Sequence, residues 1–270
     1  MADDASFLAH ALEVAQAAAD AARAVIVPRF RAQDLRVETK PDLTPVTEAD
    51  RAAEAAIKAV LRAAFPGHAL HGEEEGREGQ GDHLWLIDPI DGTKAFVRGY
   101  PMFSTQIALM QRGELVLGVS DAPAYGERAW AVRGAGAFLR EGAGESRRLQ
   151  VSDLTRFDAQ AAISTGNLKS LAADPRRWRA YAGLVQRVGR IRGYGDFLHY
   201  HLLARGAIDL VVESDLNILD IAALVVIVRE AGGVFSDLDG QPVDLATRSA
   251  LAGPPVLHAQ ALAAFTHAAV

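Results

Sequence analysis

Asp88 and Asp91 stand three positions apart in the segment Leu84-Trp85-Leu86-Ile87-Asp88-Pro89-Ile90-Asp91-Gly92-Thr93. The apolar run predicts a buried strand over 84–87 that delivers Asp88 at its C-terminal end, where sheets carry functional groups. Pro89 fixes φ and Gly92 lets the backbone approach another group closely, so both carboxylates and the Ile90 carbonyl can face one point. Three hard oxygen donors at one point suit Mg²⁺. A helix beginning at Gly92-Thr93 would aim its free N–H groups and positive dipole end at the same place, which suits a phosphate. The competing explanation is plain turn formation, since Asp-Pro and Asp-Gly are common turn dipeptides.

Other acidic residues could complete the point. The loop His71-Gly72-Glu73-Glu74-Glu75-Gly76 puts Glu73 just ahead of the strand, although a lone acidic run is also what a solvated face looks like. Asp220 lies inside Ile218-Leu219-Asp220-Ile221-Ala222-Ala223-Leu224, where an unpaired buried carboxylate would be costly. It can cap the helix that follows, hold a cation, or do both. Asp50 follows Thr47 by three residues ahead of an Ala-rich run, the pattern of a capping box, and capping alone is enough to explain it. His199 and His201, after Asp196, are read as polar surface or packed residues.

The elements that must position these groups follow from periodicity. A long helix is expected over 6–31, ending near Pro28, then a polar segment with Pro41 and Pro45, then a helix from Thr47 to Phe65. Strands are expected at 84–87, 104–110, 115–120, 128–133 and 136–139, with the tight turn Arg112-Gly113-Glu114 joining two of them into an antiparallel sheet. Beyond the Gly-rich turn at 141–144 the pattern alternates as α/β units do: strands at 160–164, near 190 and at 208–212, and helices at 175–188, 195–206 and 220–231. This divides the chain into an N-terminal α+β half, 1–145, with most of the metal ligands, and a C-terminal α/β half, 146–270, with Asp220 and substrate-pocket residues. The two halves form one catalytic unit around a crevice.

Composition narrows the function. A net charge of −6 with no extended basic stripe argues against a nucleic-acid partner. The absence of cysteine excludes thiolate metal sites and Cys nucleophiles and suits a reducing cytoplasm. The acidic start MADDASFLAH is unlike a signal peptide, and the longest apolar stretch, Ile218 to Val228, is too short for a membrane span.

The motifs Val46-Thr47-Glu48-Ala49-Asp50, Gly72-Glu73-Glu74, Asp88-Pro89-Ile90-Asp91-Gly92-Thr93, Leu219-Asp220 and Arg229-Glu230-Ala231-Gly232-Gly233 occur in this order. They resemble those of the magnesium-dependent, lithium-sensitive inositol monophosphatase superfamily of sugar and small-molecule phosphatases. The resemblance implies an αβαβα sandwich of the inositol monophosphatase and fructose-1,6-bisphosphatase type, with two or three Mg²⁺ per subunit and a homodimer. It implies a first metal on Glu73, Asp88 and the Ile90 carbonyl, a second on Asp88, Asp91 and Asp220, and a weaker third sharing Glu73 through water. Asp50 with Thr93 would orient and deprotonate the attacking water, and the N–H groups of Gly92 and Thr93 would hold the phosphate.

The substrate is a small phosphate ester on this resemblance. Thr93-Lys94-Ala95-Phe96 and Tyr194-Gly195-Asp196 resemble the histidinol-phosphate phosphatase branch, which makes L-histidinol phosphate the expected substrate and inositol 1-phosphate or another sugar phosphate the alternative. Asp196 would face the substrate cation, unless it caps the helix that follows. Glu213 matches a position that binds hydroxyls in inositol enzymes and could equally hold a cation. Where these families usually carry an aromatic residue before the last metal aspartate, this chain has Asn217-Ile218-Leu219. A non-catalytic regulatory relative is the reading from another class, disfavoured because every expected catalytic group is present.

Overall fold

The computed structural model describes residues 2–39 and 45–267; Pro41 lies outside them. The chain begins with α1 (Ala2–Ile26), which gives way to a 3₁₀ turn at Val27–Arg29 on reaching Pro28. A short antiparallel pair, β1 (Val37–Thr39) and β2 (Pro45–Thr47), leads into α2 (Glu48–Ala64). Then come β3 (Ala69–Gly72), β4 (Gly76–Glu78), β5 (His83–Asp91), α3 (Thr93–Val97), β6 (Ser104–Gln111), β7 (Glu114–Ala122), β8 (Glu127–Val132), β9 (Gly136–Glu141) and β10 (Arg147–Arg148). These strands form one eight-stranded sheet in the order β10-β9-β8-β7-β6-β5-β3-β4, antiparallel except where β3 runs alongside β5.

The rest of the chain builds β11 (Ala162–Thr165), α4 (Lys169–Ala173), α5 (Pro175–Val185), β12 (Arg190–Arg192), α6 (Asp196–Ala204), β13 (Leu210–Ser214), α7 (Ile218–Glu230), β14 (Val234–Ser236), β15 (Ser249–Gly253) and α8 (Pro255–His267). The second sheet has the order β12-β11-β13-β15-β14, with its first three strands parallel and its last two antiparallel to their neighbours.

Three apolar clusters glue five layers together. Ala11, Ala15, Ala18 and Ile57 of α1 and α2 pack with Trp85, Ile87 and Leu109 on one face of the large sheet. The opposite face, with Leu86, Ala108 and Ala129, packs with α6 and α7, whose far sides meet Val211 and Ala252 of the small sheet. Leu210, Val212 and Leu251 then meet Leu184 and Leu257 of α5 and α8. The order is helices, sheet, helices, sheet, helices: the αβαβα sandwich. The central place of α7 explains its composition, since a helix covered on both sides has no polar stripe to show. Gly118 on β7 sets its depth, because a Cβ there would lie 2.3 Å from the Ala223 carbonyl oxygen.

One local expectation needs correction. The strand carrying Asp88 does not stop at residue 87: β5 continues to Asp91, and the bend is an irregularity in its pairing with β6 between Asp88 and Asp91. The strand twists at that point instead of ending, which re-aims successive side chains without losing the sheet.

Candidate active site

The β5 irregularity brings Asp88 and Asp91 together, and α7 brings Asp220 to them across the sheet. Ligand oxygens of these three carboxylates all lie within 4.8 Å of one another. The Ile90 amide donates to Asp88 Oδ1 at 3.0 Å, which holds that carboxylate back over the bend. Glu73 follows β3 in the turn before β4, hydrogen-bonds Asp88, and acts electrostatically on Asp50, Asp88 and Asp220. The Ile90 carbonyl accepts from the Thr93 hydroxyl at 3.0 Å. Gly92 adopts φ +87°, and a Cβ there would lie 2.5 Å from the Met102 carbonyl oxygen, so the residue is glycine both for the turn into α3 and for that close approach.

Asp50 and Asp220 occupy equivalent positions in two helices. The carboxylate Oδ2 of Asp50 accepts from the Thr47 amide at 2.7 Å and from the Thr47 hydroxyl at 2.6 Å, completing a capping box at the start of α2. Its Oδ1 meets the Thr93 hydroxyl at 3.3 Å. Capping and contact with the Asp88–Thr93 turn therefore use different oxygens of one side chain. Asp220 is not an N-cap: Asn217 caps α7, and Asp220, three residues on, accepts from the Asn217 amide at 2.8 Å and from its side-chain amide at 2.8 Å. The α2 and α7 capping boxes orient both aspartates from helix N-termini.

The second half of the chain supplies Asp196 and Glu213, which act on Asp91. Asp196 opens α6 with φ +46°, and Gly195 occupies the cap position with no side-chain capping bond, so helix capping does not account for Asp196. Glu213 on β13 is buried and accepts from the Tyr200 hydroxyl at 2.9 Å, with His199 Nε2 3.2 Å from the same oxygen. Leu219 is buried in the central apolar cluster. Of the two readings of His199 and His201, surface or packed, the packed one holds: both are fully buried, because α6 lies between the two sheets.

Charge is crowded here. Burial, then Glu73, Asp91 and Asp220, push Asp88 well above the usual carboxylate range. Burial, then Asp196, Asp220 and Glu213, do the same to Asp91 against a Ser104 hydrogen bond. Asp220 is pushed up to about 7 by burial and by Glu73, Glu213 and Asp196, with the Asn217 amide opposing. Asp50 is raised by burial and Glu73, against its bonds to Thr47 and Thr93. The neighbours that raise these groups are other carboxylates, a donor set of hard oxygens that fits a divalent cation and would hold it in the ionised form. The cluster can hold a metal ion.

Sequence reasoning missed how the Glu73 turn is held. Glu54 on α2 accepts from the amides of Glu74 at 2.7 Å and Glu75 at 3.1 Å. Fully buried Lys58, one turn on, pairs with Glu54 at 2.7 Å and with Glu75 and Glu78, each at 2.9 Å. Asp50, Glu54 and Lys58 recur every four residues, so one face of α2 holds both Asp50 and the acidic turn. That spacing of charged residues on an otherwise Ala-rich helix was the available signal. The three consecutive polar residues Ser104-Thr105-Gln106 that open the otherwise apolar β6 were another; the Ser104 hydroxyl meets Asp91 Oδ2 at 3.3 Å.

The sequence matches the inositol monophosphatase family over residues 8–269. The chain belongs to the inositol monophosphatase family. It is 47% identical over 236 residues to a histidinol-phosphatase of Streptomyces coelicolor, covering 86% of this chain and 88% of that one. It is 45% identical over 230 residues to a histidinol-phosphatase of Mycobacterium tuberculosis, covering 85% and 88%. Among solved structures, the IMPase of Thermotoga maritima superposes with a TM-score of 0.81 at 30% identity, covering 97% of this chain and 98% of that one. This member of the inositol monophosphatase family is a phosphoric monoester hydrolase acting on a small phosphate ester. Among the described residues no helix is long and apolar enough to cross a membrane.

Proposed function

We propose that the protein hydrolyses L-histidinol phosphate to L-histidinol and phosphate, using Mg²⁺. The observation that carries the substrate is the pair Asp196 and Glu213, two carboxylates that act on Asp91 from outside the Asp88–Asp91–Asp220 cluster. L-Histidinol phosphate bears an amine and an imidazole beside its phosphate, and anionic groups at that remove suit a cation. Asp196, pushed up to about 6 by burial and Glu213 against Lys94 and His199, regains its charge when a cationic substrate pairs with it. The names of the two bacterial relatives support the same reading.

Glu73, Asp88, the Ile90 carbonyl, Asp91 and Asp220 would hold two or three Mg²⁺ per subunit. Mg²⁺ held there would supply Lewis-acid stabilisation of the charge that develops during phosphate-ester hydrolysis. Asp50 accepts the proton of the attacking water through Oδ1, while Thr93 holds that oxygen in place and Thr47 fixes the other. The first N–H groups of α3, at Gly92 and Thr93, would hold the phosphate, as the unpaired amides of a helix start suit an anion. The reading includes a homodimer, a cytoplasmic setting and a division into halves near residue 145, with Asp50, Glu73, Asp88 and Asp91 in the first half and Asp196, Glu213 and Asp220 in the second.

Phosphate release from L-histidinol phosphate and from inositol 1-phosphate, with Mg²⁺ present, tests the proposal. A charge-assisted hydrogen bond to a buried carboxylate is worth roughly 1.5–3 kcal/mol, so kcat/KM should favour L-histidinol phosphate by about ten- to a hundredfold. A preference for inositol 1-phosphate would move the assignment to that ester.

A further inference from the structure

A continuous row of hydrogen bonds runs from Asp91 through the central core to the ion pair of Glu127 and Arg205. Ser104 Oγ meets Asp91 Oδ2 at 3.3 Å, and the Gln106 side-chain amide nitrogen donates both to Ser104 Oγ at 2.7 Å and to Ser120 Oγ at 3.1 Å. Ser120 Oγ lies 2.8 Å from His201 Nε2, His201 Nδ1 lies 2.6 Å from Glu127 Oε1, and Arg205 donates to that oxygen at 2.6 Å. Ser104, Ser120, Gln106, His201 and Glu127 are all buried, and apolar residues such as Leu86, Ala108 and Ala129 share this face of the sheet. Polar groups buried among such neighbours are costly unless each finds a partner.

With the Gln106 nitrogen facing both serines, the charge on Glu127 sets one direction along the row. Burial works against charge on Glu127, but His201 and Arg205 outweigh it and keep it a carboxylate, so His201 Nδ1 carries the proton. Burial keeps His201 below the usual imidazole range with Glu127 opposing, so Nε2 accepts from the Ser120 hydroxyl. Ser120 has then spent its proton and must accept from Gln106, whose second N–H goes to Ser104. The Ser104 proton is left for Asp91. Gln106 Oε1 is buried with no partner among the described residues. Turning that amide over would give Oε1 two hydroxyl donors, but it would draw the Ser104 proton away from Asp91 and the Ser120 proton away from His201.

We propose that His201, Ser120 and Gln106 are positioning residues that keep the Ser104 hydroxyl donating to Asp91, and so fix which carboxylate oxygen Asp91 turns to the metal. The proposal rests on reading Asp91 as a metal ligand. Outer partners of metal ligands typically contribute about 10–100-fold in metal affinity, and here the contribution is set by a histidine four bonds away along the row.

The test is calorimetric titration of Mg²⁺ alone into chelator-stripped protein. Ser104→Ala should weaken binding about tenfold. His201→Leu frees the Gln106 amide to turn, so it should weaken binding in the same direction, and Ser120→Ala should do likewise through a smaller change should His201→Leu not fold. Adding Gln106→Leu to His201→Leu removes the amide that captures the Ser104 proton, so the double variant should bind more tightly than His201→Leu alone. A role confined to core stability predicts the opposite, a further loss. Wild-type Mg²⁺ affinity in His201→Leu and Ser120→Ala, or a deeper loss in the double variant, overturns the proposal. Wild-type affinity in Asp91→Asn overturns instead the ligand assignment beneath it.

Discussion

Mg²⁺ should stabilise this protein more at about pH 8 than at about pH 6. In the metal-free fold Asp220 titrates near 7, held up by burial and by Glu73, Glu213 and Asp196 against the Asn217 amide, and Asp88 and Asp91 are raised by burial and their acidic neighbours. A folded-state pKa above the unfolded one contributes stability that is complete below the unfolded carboxylate value, near 4, and is lost as pH rises through the folded value, near 7. Metal binding needs the ionised carboxylates, so wherever the proton is still bound it must be expelled. For Asp220 alone, the proton is about nine-tenths bound at about pH 6 and about one-tenth bound at about pH 8. Removing that competition is worth about 1.4 kcal/mol, a tenfold gain in affinity. At ~2–4 °C per kcal/mol for a chain of this size, the rise in Tm on adding Mg²⁺ should be about 3–6 °C larger at the higher pH, with Asp88 and Asp91 acting in the same direction. His68, His71, His201 and His258 are all shifted down, chiefly by burial, and titrate with the opposite sign; their effects cancel when Mg²⁺-loaded and chelated samples are melted at one pH. A Mg²⁺ increment that is flat with pH, or shrinks as pH rises, would refute the reasoning.

Asp88→Asn should abolish turnover measured as phosphate release, since Asp88 belongs to the three-carboxylate cluster and hydrogen-bonds Glu73; near-normal turnover at ordinary Mg²⁺ would remove it from the site. Asp50→Asn can still cap α2 through its amide oxygen, so Tm should change little while kcat falls by about 10²–10⁴-fold; full activity in this variant, with harm only from Asp50→Ala, would leave Asp50 a capping residue. Asp196→Asn should lower kcat/KM for L-histidinol phosphate by about ten- to a hundredfold and leave a neutral polyol phosphate nearly unaffected, and equal losses for both esters would argue against a role in recognising the cation.

The parts of the site that follow one another along the chain were readable from the sequence. The turn from Asp88 to Thr93 and the capping box from Thr47 to Asp50 are local, and each residue's type states its task. Asp220 was located by the cost of its burial, but its role as cap was misread because Asn217 does that work from three residues away. Pro89 and Gly92 make the bend at Asp88 look like a strand end in the sequence, whereas pairing with β6 carries the strand through. Short strands such as β3, β14 and β15 have too few residues to display alternation, and their existence depends on neighbours supplied by distant segments. The sequence leaves His199 and His201 open between surface and packed for a related reason: only the placement of α6 between two sheets decides that they are interior. The tell-tale was negative, a helix from Phe197 to Ala204 with no lysine, arginine, aspartate or glutamate to face water.

The central claim is that Asp88, Asp91 and Asp220 converge to hold a divalent cation. Crystals grown with Mn²⁺, which shares the oxygen preference and octahedral habit of Mg²⁺ and scatters anomalously, test it most directly. The account predicts an anomalous peak bounded by carboxylate oxygens of all three aspartates at about 2.0–2.3 Å, which Asp88→Asn diminishes. An anomalous map with no peak among these three side chains at saturating Mn²⁺, or with its peaks elsewhere, would contradict it.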